Sequence, residues 1–519
     1  MDWLLRLVAF LLMKTVFLVK PIHWLLRKKR LAVPPVKDPI INLSATTLAR
    51  KIREREISSE HVVEAYIKRI KEVNPILNAV VEDRYEDALR EARNCDKRIE
   101  TGEVNAIRLE IEQPLYGVPL TVKESCSVKG LNYTGGCLLR KGVKADSDGL
   151  AVEALRNAGA IPLCVTNTPE LCLGFEANNY LYGKTNNPYD TRRTSGGSSG
   201  GEGALLGAGA SVIGVGSDIA GSIRIPALFN GIFGHKPTPG IIPIRGHFPF
   251  SEGKLFQQYL VIGPMARYCE DLYLAMKVMS ANCGTNLQLD EPVALNKLNV
   301  FYMEDAGQTV GVPKVDEDIK RAVTNASSYF KGYGCNVKRF NVDMRDALEY
   351  ALSTFFTMDE MPQLLLNPDD PKKEKNLSWA VVKSLFGLSP YTRTALYLRF
   401  LKDVKVFMND KKISHYKEQG KVLRENFMKI LGEDNVLVCP SYTSAALMHN
   451  ETIFNMSSVL YCVLFNLWGF PSTQVPMGLN KDGLPVGVQV VAMPNQDRLC
   501  LAVAKELEKG FGGWIPFAA

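Results

Sequence analysis

Thr194-Ser195-Gly196-Gly197-Ser198-Ser199-Gly200-Gly201-Glu202, followed by Asp218-Ile219-Ala220-Gly221-Ser222-Ile223-Arg224-Ile225-Pro226, is the stretch on which the reading of this chain turns. Ten of the 26 residues from Gly196 to Gly221 are glycine, with several serines between them. Such backbone is too crowded for large side chains, and it can aim several N–H groups and small hydroxyls at one reacting atom. The segments on either side alternate. Leu115 to Val122 reads as a strand that delivers Lys123-Glu124 to its C-terminal end, Asp148 to Ala158 as a helix, and Ile161 to Thr166 as a short apolar strand. Gly203 to Ala210 reads as a small-residue helix before a strand at Ser211 to Val215. Residues 310–350 repeat the helix–strand pattern, and Gly483 to Ala492 adds a late apolar strand. Upstream, helices are expected over about 47–55, 59–72 and 85–100, the second with Val62, Val63, Ala65, Tyr66 and Ile70 as its apolar face. This alternation predicts an α/β core: one large domain with helices on both faces of its sheet.

The whole chain sets limits. Its 519 residues, 46% of them apolar, can bury a large core, which argues against disorder. A formal charge of +7, spread rather than blocked, gives nucleic acid little to bind. Eleven cysteines without a CxxC pair read as reduced thiols, not as a disulfide scaffold. Cys126, Cys164, Cys172, Cys439 and Cys462 lie in apolar or glycine-rich segments, where a thiol behaves as a small hydrophobe. No HExxH pattern occurs either, so neither a metal nor an organic cofactor is expected. Sequons stand at Asn42, Asn132, Asn325, Asn376, Asn450 and Asn455.

Residues 3–19 are apolar except for Arg6, Lys14 and Thr15. A helix there would span roughly 25 Å, with Arg6 snorkelling toward one end and Lys14 costly near the middle. Residues 1–30 therefore read as a membrane anchor with the basic flank Arg27-Lys28-Lys29-Arg30. The anchor is a single pass over 2–19 or 2–26, or a helix lying in the interface. A cleaved signal peptide would need a small-x-small site, and none stands out. The basic flank favours a cytosolic body and the sequons a luminal one, so topology stays open. Residues 31–44 read as a Pro-rich linker and 45–519 as the single domain.

A serine hydroxyl needs a base before it can attack. His23 lies in the membrane flank, His61 on a helix, His415 in a charged stretch and His449 beside Asn450, while His235 and His247 follow the glycine-rich block. His235 is the best placed, yet its context is a plain turn. A lysine can take the part, because a buried amine is disfavoured as a cation and can accept a proton. Lys123 ends an apolar strand, whereas most lysines here lie in polar runs. The alternative is a strand-end lysine facing water.

The block Gly117-Val118-Pro119-Leu120-Thr121-Val122-Lys123, the stretches Gly196 to Glu202 and Asp218 to Pro226, and Gly231-Ile232-Phe233-Gly234-His235-Lys236-Pro237-Thr238 together resemble the amidase signature family. Gly263-Pro264-Met265-Ala266-Arg267, Pro471 to Gly478 and Gly483 to Gln489 continue the likeness, which covers roughly 45–515. The resemblance implies the amidase signature fold, a large mixed twisted β-sheet with helices on both faces. It implies a Ser-Ser-Lys triad in which Ser222 is the nucleophile. Ser198, after a cis peptide bond, relays protons to Lys123, the base, which is neutral at rest. Backbone N–H groups of Ile219, Ala220, Gly221 and Ser222 would form the oxyanion hole, with Ala220 where the family commonly has glycine. Ser199, Asp218 and Arg224 would support the loop.

Within that family the chain most resembles the membrane-anchored vertebrate fatty-acid amide hydrolases. This implies cleavage of oleamide and anandamide-like N-acylethanolamines to fatty acid plus ammonia or ethanolamine through an acyl-enzyme. The expected partners are a lipid amide and a membrane, of the endoplasmic reticulum or a lipid droplet; a homodimer stays open. Trp379 to Leu388 with Tyr391 to Leu401 forms either an amphipathic membrane cap or an ordinary core-facing helical pair. Phe355 to Met358 and Met361 to Leu366 are candidate walls of an acyl channel. The rivals are an amidase for small or aminoacyl amides and a non-catalytic membrane scaffold.

Overall fold

A computed structural model describes residues 29–307, 309–358, 362–367, 370, 373–403 and 408–517, together with 3, 4, 6–11, 13 and 14. What the sequence suggests for His23, Arg27, Lys28 and Met361 lies outside the described residues.

Eleven strands make one sheet. They are β1 (Val80–Asp83), β2 (Pro119–Lys123), β3 (Ile161–Thr166), β4 (Ile213–Asp218), β5 (Phe233–Lys236), β6 (Val261–Ala266), β7 (Asn299–Tyr302), β8 (Asn336–Arg339), β9 (Asn435–Cys439), β10 (Ser472–Leu479) and β11 (Pro485–Val491). Their order is β1-β3-β2-β4-β6-β5-β10-β11-β9-β7-β8. The runs β3-β2-β4 and β9-β7-β8 are parallel, and the other pairs are antiparallel, so the sheet is mixed. Alternate residues of one strand face opposite sides. Val436 and Val438 of β9 join a core with Val323 and Leu501, whereas Leu437 and Cys439 join another with Phe427 and Leu464. Helices therefore cover both faces, as the alternation predicted.

The N-terminal layer follows from its caps. Ser44 accepts from Thr47 N, which starts α1 at Ala45–Arg53, two residues earlier than its apolar pattern suggests. Helix α2 (Ser59–Leu77) continues past Pro75 to a left-handed cap at Asn78, and Val62, Val63, Tyr66 and Ile70 are buried. Helix α3 is Tyr85–Glu100. Residues 31–44 are laid on the domain: Val33 and Ile41 are buried, and Arg69 donates to Pro34 O.

Two strands differ from the sequence reading. Gly117, at φ +74°, turns the chain, so β2 begins at Pro119 instead of Leu115. Strand β4 starts at Ile213 and runs through Gly214 and Gly216 to Asp218, three residues past the Ser211 to Val215 expected. A Cβ at Gly214 would lie 2.1 Å from Glu202 Oε2, so glycine there admits the helix α5 (Gly200–Gly207) against the strand. Glu202 is buried and accepts from Thr121 Oγ1 at 2.6 Å and Thr166 Oγ1 at 2.7 Å, tying α5 to β2 and β3.

The N-terminal segment does not behave as a free apolar helix. Arg6 is buried instead of snorkelling. Its Nε donates to Glu349 Oε1 at 2.7 Å, Nη1 to Val310 O at 3.1 Å, and Nη2 to Arg345 O and Glu349 Oε2. The helix α6 (Ala347–Phe355) supplies Glu349, and a satisfied fork of this kind keeps a guanidinium out of water. Among the described residues, no helix is long and apolar enough to cross a membrane; the single-pass spans 2–19 and 2–26 include residues outside them.

Removing one partner of a buried ion pair costs about 3–5 kcal/mol, so Arg6→Ala should loosen the N-terminal segment from α6. Limited proteolysis should cut that segment faster than in the wild type and spare the domain. A second expectation concerns pH. Burial pushes the Glu202 carboxyl up to about 7, against the Thr121 and Thr166 hydrogen bonds and the attraction of Lys123. The folded state then keeps a proton that an unfolded chain releases, so stability from this group falls as pH rises from about 4.5 to about 7. Glu202→Gln should flatten the fall in Tm across that window; an unchanged slope would count against the assignment.

Candidate active site

Lys123 stands at the C-terminal end of β2 and is fully buried, so it is not a lysine facing water. Its Nζ lies 2.6 Å from Ser198 Oγ and 2.9 Å from Ser217 Oγ. Ser198 follows a cis Gly197–Ser198 peptide bond. The glycines around it are there for contact: a Cβ on Gly196 would lie 2.8 Å from Pro226 Cα, and one on Gly197 2.7 Å from Glu176 N. Ser222 lies on the turn after β4, and Ser198, Ser217 and Ser222 open onto one cavity. Ser199 N donates to Ser222 O at 3.1 Å, and Ser199 Oγ lies 3.4 Å from both the N and the O of Ser217. Ser199 thus joins the glycine-rich block to β4 and to the Ser222 turn.

Asp218 and Arg224 brace that turn. The Asp218 carboxylate accepts from Gly221 N at 2.7 Å, Ile223 N at 3.0 Å and Arg224 Nη2 at 3.0 Å. Burial works to raise its pKa, but Arg224 and the backbone donors outweigh burial and hold it well below the usual carboxylate range. Arg224 also donates to Gln489 Oε1 at 3.0 Å and Asn466 Oδ1 at 2.6 Å. With the Gly221 N–H committed to Asp218, it is Ile219, Ala220 and Ser222 that line the cavity.

The cavity is largely apolar. Phe355, Phe356, Met358 and Leu364 line it, in agreement with the channel reading, together with Phe175 and Phe454. Val8 and Ala9 of the N-terminal segment also reach it. Helix α8 (Arg393–Lys402) flanks it through Tyr397, Leu398 and Leu401, and helix α7 (Leu377–Leu385) packs against α8. This pair buries Ala380, Tyr391 and Ala395, yet leaves Leu385, Phe386 and Leu388 79%, 74% and 71% exposed. It is therefore not simply a core-facing pair.

Three side chains at the site escaped the sequence reading. Ser217 is the second hydroxyl on Lys123. His247 lines the cavity, with Nε2 at 2.8 Å from Ser217 Oγ and Nδ1 at 2.8 Å from Pro249 O. It lies 124 residues after Lys123 in sequence with no motif around it, so nothing short of the fold marks it. His235, the favoured histidine, instead braces β5 against Thr473 at 2.8 Å and Asp497 at 3.1 Å. Cys172 also lines the cavity and is more than a small hydrophobe. Burial works to raise its thiol, but Lys123 and the hydrogen bonds of His247 and Ser125 outweigh burial and draw it down to about 5. All eleven cysteines are free.

The amidase family profile matches residues 61–501. Human fatty-acid amide hydrolase 2 is 40% identical over 487 residues, covering 93% of this chain and 91% of that protein. Fatty-acid amide hydrolase 2-A of Danio rerio is 42% identical over 491 residues, with 93% and 91% covered. A solved structure of fatty acid amide hydrolase superposes with a TM-score of 0.72 at 24% identity, over 91% of this chain and 86% of that one, and shares the fold. Matched over most of its length by both profile and relatives, the chain belongs to the amidase signature family.

Proposed function

We propose that this protein hydrolyses long-chain fatty-acid amides, such as oleamide and N-acylethanolamines, to free fatty acid plus ammonia or ethanolamine. The observation that carries the reading is an apolar cavity that ends on Ser198 and Ser222 beside a buried lysine. In this reading Ser222 attacks the amide carbonyl. Its proton passes to Ser198 as Ser198 gives its own to the neutral amine of Lys123, 2.6 Å away. The N–H groups of Ile219, Ala220 and Ser222 receive the oxyanion, since Gly221 N–H already serves Asp218. An amide nitrogen leaves poorly as an anion, so the proton returns from Lys123 through Ser198 to that nitrogen as the C–N bond breaks. Water then attacks the acyl-enzyme by the same relay in reverse. Ser199, Asp218 and Arg224 hold the loop and touch no substrate.

The lipid part of the reading has separate support. The curated relatives are fatty-acid amide hydrolases by name, and the cavity walls are phenylalanine, leucine and methionine. Exposed Trp379, Leu385, Phe386 and Leu388 beside the cavity form the cap at 379–401, and exposed Leu4, Leu7 and Leu11 lie on residues 1–30. Both surfaces suit the face of a membrane of the endoplasmic reticulum or a lipid droplet, from which a poorly soluble amide would enter.

A fluorophosphonate probe should label Ser222. Ser222→Ala should lose the label and at least ~10³-fold of kcat/KM for oleamide. Comparing oleamide with acetamide tests the substrate class. Preference for acetamide would remove the lipid reading and leave the relay standing, whereas full turnover by Ser222→Ala would remove the relay.

A further inference from the structure

We propose that His247 is a positioning residue of the proton relay: by taking the Ser217 proton, its ring makes Ser217 an acceptor for one N–H of Lys123 and leaves the Lys123 lone pair for Ser198. The inference rests on the roles proposed above for Lys123 and Ser198.

The hydrogen bonds leave little freedom. Pro249 offers only a carbonyl, so His247 Nδ1, 2.8 Å away, must carry a hydrogen and donate it. In a neutral ring Nε2 is then an acceptor. Ser217 Oγ, at 2.8 Å, donates its single proton to Nε2, and Ser125 Oγ at 3.3 Å is a weaker second donor. With that proton spent, Ser217 has only lone pairs to offer Lys123, so Nζ must donate to it across 2.9 Å. A neutral amine has two N–H bonds and one lone pair. Fixing one N–H on Ser217 leaves the lone pair available to take the proton of the Ser198 hydroxyl, whose oxygen lies 2.6 Å from Nζ.

Other ionisable groups face the ring. Lys123 lies across Ser217, and Cys172 and the backbone-paired Cys126 lie beside it. Burial pushes Cys126 up to about 12, which keeps it a neutral thiol. Glu124, pushed up to about 7 by burial, is tied down by Thr134 and Gly135 N. Arg140 stacks on the neighbouring Phe248 ring at 3.8 Å.

Replacement separates the relay from the ring. In His247→Gln, the amide oxygen accepts from Ser217 and the amide N–H donates to Pro249 O, which copies the two bonds of the ring. His247→Ala keeps neither bond. In kcat/KM for oleamide, His247→Ala should lose roughly tenfold or more, and His247→Gln should recover most of that loss. Tm values of each variant separate lost folding from lost positioning. Wild-type activity in His247→Ala, or a folded His247→Gln as impaired as His247→Ala, would overturn the proposal. Either result beside an inactive Ser222→Ala would leave the relay intact and remove only the role of His247.

Discussion

The Asp218 carboxylate is the group on which the rest of the site depends. It sits at the end of β4 without solvent contact, and it gathers Gly221 N, Ile223 N, the Arg224 guanidinium and Asn466 Nδ2 around two oxygens. A charge this deep is tolerable only because every lone pair is used. The same bonds draw residues 219–222 into a turn that cannot relax. They consume the Gly221 N–H and leave Ile219, Ala220 and Ser222 at the cavity. Arg224 extends the clamp to Gln489 on β11 and to Asn466 on the helix Leu460–Leu467, so distant parts of the chain set the position of one serine.

Around this clamp the fold packs backbone against backbone. The glycines of 196–203 pass within contact of Pro226, Glu176 and Asn167, and only that closeness brings Ser198 to a lysine from another strand. The walls of the cavity obey a different rule. They come from Phe355, Phe356, Met358 and α8, whose side chains are apolar or aromatic. A hydrogen-bonded polar cluster thus meets an apolar cavity, which holds its ligands mostly by shape and burial.

The N-terminal segment shows how composition can mislead about environment. Its apolar run reads as bilayer-facing, and Trp3, Leu4 and Leu11 are indeed exposed. Arg6, however, meets the buried Glu349, and Val8 and Ala9 reach the cavity. A hydrophobic pattern reports a preference for leaving water; it does not say whether lipid or protein provides the alternative.

Local pattern was enough for β3 at Ile161–Thr166 and α3 at Tyr85–Glu100, where hydrophobic periodicity and flanking turns act within a few residues. The family resemblance, carried by short ordered motifs, pointed to Ser198 and Ser222 beside Lys123 and the glycine-rich block. Local pattern missed the full extent of β4, which continues past Val215 through Gly216 to Asp218. It failed again at Ser217 and His247, whose partners lie on other elements. What the sequence determined by itself was the set of candidate reactive groups and the alternation that builds the sheet, since both are written in neighbouring residues. Only the tertiary structure decided which hydroxyls Lys123 meets, which histidine stands behind them and which residues of the 219–222 turn line the cavity. Those choices follow from how separate strands and loops pack, and no local pattern records them.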